Sequence, residues 1–244
     1  MLLWIIAAAA AYFIKGLCGF ANTLVFTSIL SFSSSNAGIS PVDLLLGYPS
    51  NLILAWKMRR SLDPRICLPL AAMVLAGCVP GALLLKNADV GAVKLLFGGI
   101  VAALGAQMFA EETRRRPLRS SGPALVIIGV TAGLLCGLFG VGALLAAYVS
   151  RVAKTGSAFK ANISAVFIAE NTFRIILYSV LGLLTPDTLK SALLLMPFAL
   201  SGLAAGIRCS RHINEGRVRK LTSGMLFLSG VSLILANLSP AGRI

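Results

Sequence analysis

Apolar residues run along the chain in eight long blocks separated by short polar gaps, at roughly 2–30, 41–56, 66–85, 90–110, 123–149, 157–180, 186–207 and 218–238. A helix needs about 20 residues to cross a hydrocarbon layer about 30 Å thick, so the blocks predict an all-α, polytopic membrane protein. The longest polar gap, 111–122, carries Glu111-Glu112-Thr113-Arg114-Arg115-Arg116-Pro117 and divides the chain into a first unit, 1–110, and a second, 123–244. The apolar start, Met1 to Ile14, has the look of a signal peptide. It lacks a basic leading region and runs straight into Lys15 and a glycine motif, so it is expected to stay attached.

The two units share a register. Gly16-Leu17-Cys18-Gly19 matches Gly137-Leu138-Phe139-Gly140 at an offset of 121, Asn51 matches Asn171 at 120, and Pro64 matches Pro186 at 122. Gly77, Gly81, Lys94, Gly99 and Gly105 fall on Gly202, Gly206, Arg219, Gly224 and Gly230 at 125. Internal repeats of this kind are how many carriers are built, with the substrate site at the repeat interface.

Eight simple crossings would put basic loops on both sides of the membrane, against the tendency of Lys and Arg to stay in the cytoplasm. Blocks 2–30 and 123–149 are longer than one crossing needs, and each has glycines near its middle. Read as re-entrant helical hairpins, they leave each unit three full crossings, which inverts the second unit relative to the first. Loops 57–65, 111–122, 150–160 and 208–220 then share the cytoplasmic side with 16 Lys and Arg, against four opposite. The alternative is eight tilted crossings with a weak charge bias.

Composition fits this picture. Of 244 residues 57% are hydrophobic and 12% charged, with mean hydropathy +0.89, which excludes a soluble enzyme, a secreted disulfide scaffold and a disordered chain. A net charge of +14 would suggest nucleic acid in a soluble protein, but groups that recognise bases are missing and the charge is topological. The five cysteines form no CxxC pair and His212 is the only histidine, so free thiols and no metal or other cofactor are expected. No phosphate loop, HExxH or hydrolase triad is present, so no enzyme activity is expected.

The chemistry is expected at the hairpin tips, Gly16 to Asn22 and Gly137 to Gly142. There a half-helix would present unpaired N–H groups and a positive dipole end to an anion. Gly19, Gly140 and Gly142 would let the ligand approach, with Asn22 and Thr23 as donors; the same glycines would also serve helix packing alone. Lys15, an ammonium in an apolar block, should face a cavity or a partner unless it snorkels to the interface. Glu170 and Arg174, one helical turn apart, form either a structural ion pair or a functional one, with Arg174 on an oxyanion and Glu170 taking a proton. Asn51 and Asn171 are symmetry-related carboxamides that would bind an oxyanion or join helices. Gly77/Gly81 and Gly202/Gly206 are read as close packing, and Asp43 and Asp63 as interfacial.

The sequence resembles the TauE/SafE sulfite exporter family, also called the four-toluene-sulfonate uptake permeases. Gly16-Leu17-Cys18-Gly19-Phe20 and Gly137-Leu138-Phe139-Gly140-Val141-Gly142 each follow an apolar run. In the first half come Lys57-Met58-Arg59-Arg60-Ser61-Leu62-Asp63-Pro64-Arg65, Gly77-Cys78-Val79-Pro80-Gly81 and Lys94-Leu95-Leu96-Phe97-Gly98-Gly99. The glycine runs are thinned here to Gly19-Phe20-Ala21-Asn22 and Gly140-Val141-Gly142-Ala143, and the usual following proline is absent. The resemblance implies a bacterial inner-membrane carrier for small sulfur oxyanions or organosulfonates such as sulfite, thiosulfate or sulfoacetate. Proton or sodium coupling and a homodimer are further expectations. A passive anion channel and a non-transporting scaffold are the rival readings.

Overall fold

The computed structural model describes residues 1–30, 36–84, 143–153, 155–180 and 182–213, with isolated positions between 99 and 134 and between 220 and 235. The regular structure among them is helical: α1 Leu2–Cys18, α2 Asn22–Leu30, α3 Asn36–Lys57, a 3-10 turn Arg59–Ser61, α4 Pro64–Leu84, α5 Ala143–Val152, α6 Gly156–Val180 and α7 Pro186–His212. The linker 111–122, the second tip with Gly140 and Gly142, and most of 90–110 and 218–238 lie outside the described residues.

Local chemistry sets the helix starts. The Thr185 hydroxyl accepts the Thr188 N–H at 3.2 Å, Pro186 opens α7 and Asp187 sits in its first turn. The Asp63 carboxylate accepts the Arg65 N–H at 3.0 Å where α4 begins with Pro64, and Asp63 is exposed. One boundary needs correction: α3 starts at Asn36, not at 41, because Pro41 is accommodated inside the helix. Asp43 therefore stands well inside α3 instead of at its edge, and it is buried, not interfacial.

Large apolar side chains face outward while several charged groups are buried beside the apolar core. Leu68, Trp56, Ile176, Leu193 and Leu194 are exposed, whereas Lys15, Asp43, Glu170 and Arg174 are 1%, 4%, 2% and 5% exposed. Charges are stable inside only when paired or facing a polar cavity. An apolar exterior suits hydrocarbon. Two helices, Gly156–Val180 and Pro186–His212, are each long and apolar enough to cross a membrane, and Leu2–Cys18 and Pro64–Pro80 are shorter apolar helices.

The block 2–30 is broken in the middle. Gly19 closes α1 with φ 90° and donates its N–H to the Lys15 carbonyl at 2.6 Å, and Ala21 follows at φ 74°. Glycine adopts that left-handed backbone freely, whereas alanine there costs about 1–2 kcal/mol. The break is narrower than the expected Gly16–Asn22, since α1 continues to Cys18. α2 folds back along α1: Asn22 bonds the Tyr12 hydroxyl at 3.4 Å and Phe26 meets Trp4 edge to face at 5.8 Å.

α1 lies along α7, α6 packs on α3 and α4, and α2 on α3. Two apolar clusters result, one joining α1 and the tip to α4, α5 and α6, the other joining α1 to α2, α3 and α7. At Gly202 of α7 a Cβ would strike the Ala9 carbonyl of α1, and at Gly77 of α4 it would strike the Val130 carbonyl. Gly77 and Gly202 are partners at offset 125, while Ala9 and Val130 are separated by 121, the offset of the two tips. The same close approach thus recurs with the units exchanged.

Candidate functional site

Three helices and the tip of the first hairpin converge on a buried polar cluster. Helix α1 brings Tyr12 and Lys15 on one face, α3 brings Asp43, Gly47 and Asn51 at four-residue spacing, and α6 brings Glu170, Asn171, Arg174 and Tyr178. The first turn of α2 adds Asn22 and Thr23.

Asp43 is the anchor of one side. Its Oδ2 accepts from the Thr23 hydroxyl at 2.5 Å, and its Oδ1 accepts from Asn22 Nδ2 and the Tyr12 hydroxyl, both at 3.0 Å; Asn22 also reaches Oδ2 at 3.3 Å. The carboxylate thereby ties α3 to both arms of the hairpin and sits by the positive end of α2. Arg174 organises the opposite side: Nη2 donates to the Tyr178 hydroxyl at 2.8 Å and to Ser40 at 3.0 Å, and Nη1 lies 3.5 Å from Glu170 Oε1. Lys15 lies between, its ammonium 3.5 Å from the Gly47 carbonyl and 5.6 Å from the centre of the Tyr12 ring.

Between these two sides is a cavity of about 30 Å³, lined by Lys15, Phe20, Ala21, Asn22, Thr23, Leu24, Asp43, Leu44, Asn51, Phe167, Glu170, Asn171 and Arg174. One water needs roughly 10–15 Å³ on this measure, so the cavity has room for two or three waters or a compact polyatomic ion. Asn51, 1% exposed, lines it with an Oδ1 that has no hydrogen-bond partner among the described residues. A buried unpaired polar atom costs about 1–3 kcal/mol, and at a cavity wall that cost is removed by an occupant.

Of the candidates read from the sequence, Lys15, Asn22, Thr23, Asn51, Glu170, Asn171 and Arg174 all line this one cavity. Gly19 does not: it makes the turn, and its Cα faces the Lys160 side chain, whose Cγ would lie 2.8 Å from a Cβ. Gly140 and Gly142 lie outside the described residues. The Glu170–Arg174 pair forms at the expected one-turn spacing.

Asp43, Tyr12, Ser40 and Tyr178 were missed. Once α3 is extended to Asn36, Asp43 shares a stripe with Asn51, two helical turns away, and that spacing was the available signal. Lys160 also needs correction: counted among the basic residues of loop 150–160, it is buried in α6 and donates to the Gly16 carbonyl at 3.0 Å. It places a cation at the negative end of α1.

Outward-facing apolar side chains, a set of buried charged groups and a small cavity at a helix break define a membrane-embedded helical protein with a charge-lined interior. The chain belongs to the Sulfite exporter TauE/SafE family, whose family model matches residues 4–233. It is thus a membrane protein of a family of anion transporters. No curated protein and no solved structure matches it.

Proposed function

We propose that this protein is a multi-pass secondary carrier of the bacterial inner membrane that moves a small sulfur oxyanion or organosulfonate, and that it is not an enzyme. The observation that carries the reading is the small cavity where Lys15, Arg174, the first turn of α2 and the unpartnered Oδ1 of Asn51 converge. Arg174 supplies a planar donor set suited to oxyanions, and Lys15 a point charge. Asn22, Thr23 and Asn171 border the same space. Asn51, its amide turned, donates to the oxyanion; unturned, it accepts from a protonated one.

Two inverted repeats, each a re-entrant hairpin with three crossings, account for the exchanged contacts Gly202–Ala9 and Gly77–Val130. In that arrangement the first arm of each hairpin rests on the second crossing of the other unit. Rocking of the units about the cavity would give alternating access. Glu170, one turn from Arg174, is the group placed to exchange a proton as the anion comes and goes; sodium is the alternative coupling ion.

The test is counterflow in proteoliposomes. Vesicles preloaded with sulfite, thiosulfate or sulfoacetate should transiently accumulate the labelled anion, with saturation, and Arg174→Ala should abolish this. Flux that never saturates and shows no counterflow would establish a channel instead. No flux of any of the three, with Arg174→Ala leaving assembly with partners intact, would favour the scaffold.

A further inference from the structure

The charges around the cavity cancel: Lys15 and Arg174 are cations, Asp43 and Glu170 are carboxylates, and all four line the same space. An anion arriving alone would leave a net negative charge in a site walled by Phe20, Leu24, Leu44 and Phe167. Coulomb energies grow as the surroundings lose water, so such a state is strongly disfavoured.

The two carboxylates differ in how they are held. Asp43 receives donors from Tyr12, Asn22 and Thr23 on both oxygens, so a proton there would displace an existing bond. Glu170 has one side-chain partner among the described residues, Arg174 Nη1, and the contact is long at 3.5 Å. The charged groups that face Glu170 are Lys15 on α1, Asp43 on α3 and Arg174 on its own helix, and Tyr178 accepts from the Arg174 guanidinium. An oxyanion that draws Nη1 of Arg174 to itself removes that partner and leaves Glu170 beside a second negative charge. Pairs of titrating groups set in such different surroundings divide into a fixed charge and an exchanging one.

We infer, resting on the carrier reading above, that the site takes a singly charged oxyanion together with one proton, received by the Glu170 carboxylate while Asp43 stays as fixed counter-charge, so that the transport cycle is electroneutral. A dianion would need a second proton acceptor.

The test uses methanesulfonate, a monoanion that does not itself titrate in the working range, with the full chain in liposomes. With the membrane potential clamped at zero, a pH gradient of one unit should drive about tenfold accumulation, because one proton moves with each anion. A potassium diffusion potential without a pH gradient should drive none. Glu170→Gln should reverse the pattern, making methanesulfonate flux respond to potential and ignore the pH gradient. Wild-type accumulation that follows the potential and not the pH gradient would overturn the inference while leaving the carrier reading intact. So would sulfite counterflow without any methanesulfonate transport. Absence of counterflow for every anion removes both readings. If Glu170→Gln cannot be reconstituted, the wild-type comparison decides alone.

Discussion

Replacing Arg174 with Met removes one member of a buried ion pair and leaves Glu170 facing Asp43 with only Lys15 to offset them. At the 3.5 Å separation of Nη1 and Oε1, the pair interaction is about 5 kcal/mol at an effective dielectric constant near 20. Mutational experience with buried pairs broken on one side gives a similar cost, about 3–5 kcal/mol. For a chain of this size each kcal/mol moves the unfolding midpoint by roughly 2–4 °C, so Arg174→Met should melt roughly 6–20 °C below wild type. The structure supplies its own reporters: Cys18, Cys67 and Cys78 are buried and Cys209 is exposed. A thiol-reactive dye in detergent should label Cys209 at once and the buried three on unfolding. The double variant R174M/E170Q restores charge neutrality and should regain most of the loss, within about 2 kcal/mol of wild type, while transport stays abolished. A midpoint for Arg174→Met within 2 °C of wild type, or a double variant no better than the single, would refute the charge-pairing argument.

Three further outcomes follow from other parts of the fold. Asn51→Leu replaces a buried amide whose Oδ1 has no partner among the described residues with an apolar isostere, so the melting midpoint should hold or rise by a few degrees while counterflow affinity falls about tenfold or more; unchanged affinity would remove Asn51 from the site. Gly202→Leu and Gly77→Leu should each cost about 1–3 kcal/mol or more by forcing helices apart, and by similar amounts, because the two positions make exchanged versions of one contact; a harmless Gly77→Leu beside a damaging Gly202→Leu would break that equivalence. Lys160→Met takes the ammonium from the Gly16 carbonyl and should lower stability by up to about 2 kcal/mol, seen as earlier labelling of Cys18 than of Cys78 on heating.

Much of this was legible in the sequence because a membrane restricts the choices. Long apolar blocks predict helices, and the bounds of α4, α6 and the start of α7 fall within two residues of those read from hydropathy. Lys15, Glu170 and Arg174 stand out because an ionisable group in an apolar block needs a reason. The repeat drew attention to Asn51 and Asn171. What stayed hidden depended on tertiary contact. Asp43 looked terminal because the apolar block reads as 41–56, and only the packing of α3 against the hairpin reveals that its carboxylate gathers Tyr12, Asn22 and Thr23. Lys160 reads as one more loop cation until α6 is seen to begin beneath the carbonyl end of α1. The left-handed Ala21 could not be read from the sequence, because alanine rarely adopts a positive φ.

The most direct test of the central claim, that the cavity bordered by Lys15, Asn51 and Arg174 is where an oxyanion sits, is to locate a heavy analogue of sulfite. Crystals grown with selenite and measured at the selenium edge should give an anomalous peak within hydrogen-bonding reach of the Arg174 guanidinium and the Asn51 amide, lost in Arg174→Ala. Selenium found only elsewhere, while selenite still competes with sulfite for transport, would contradict the account.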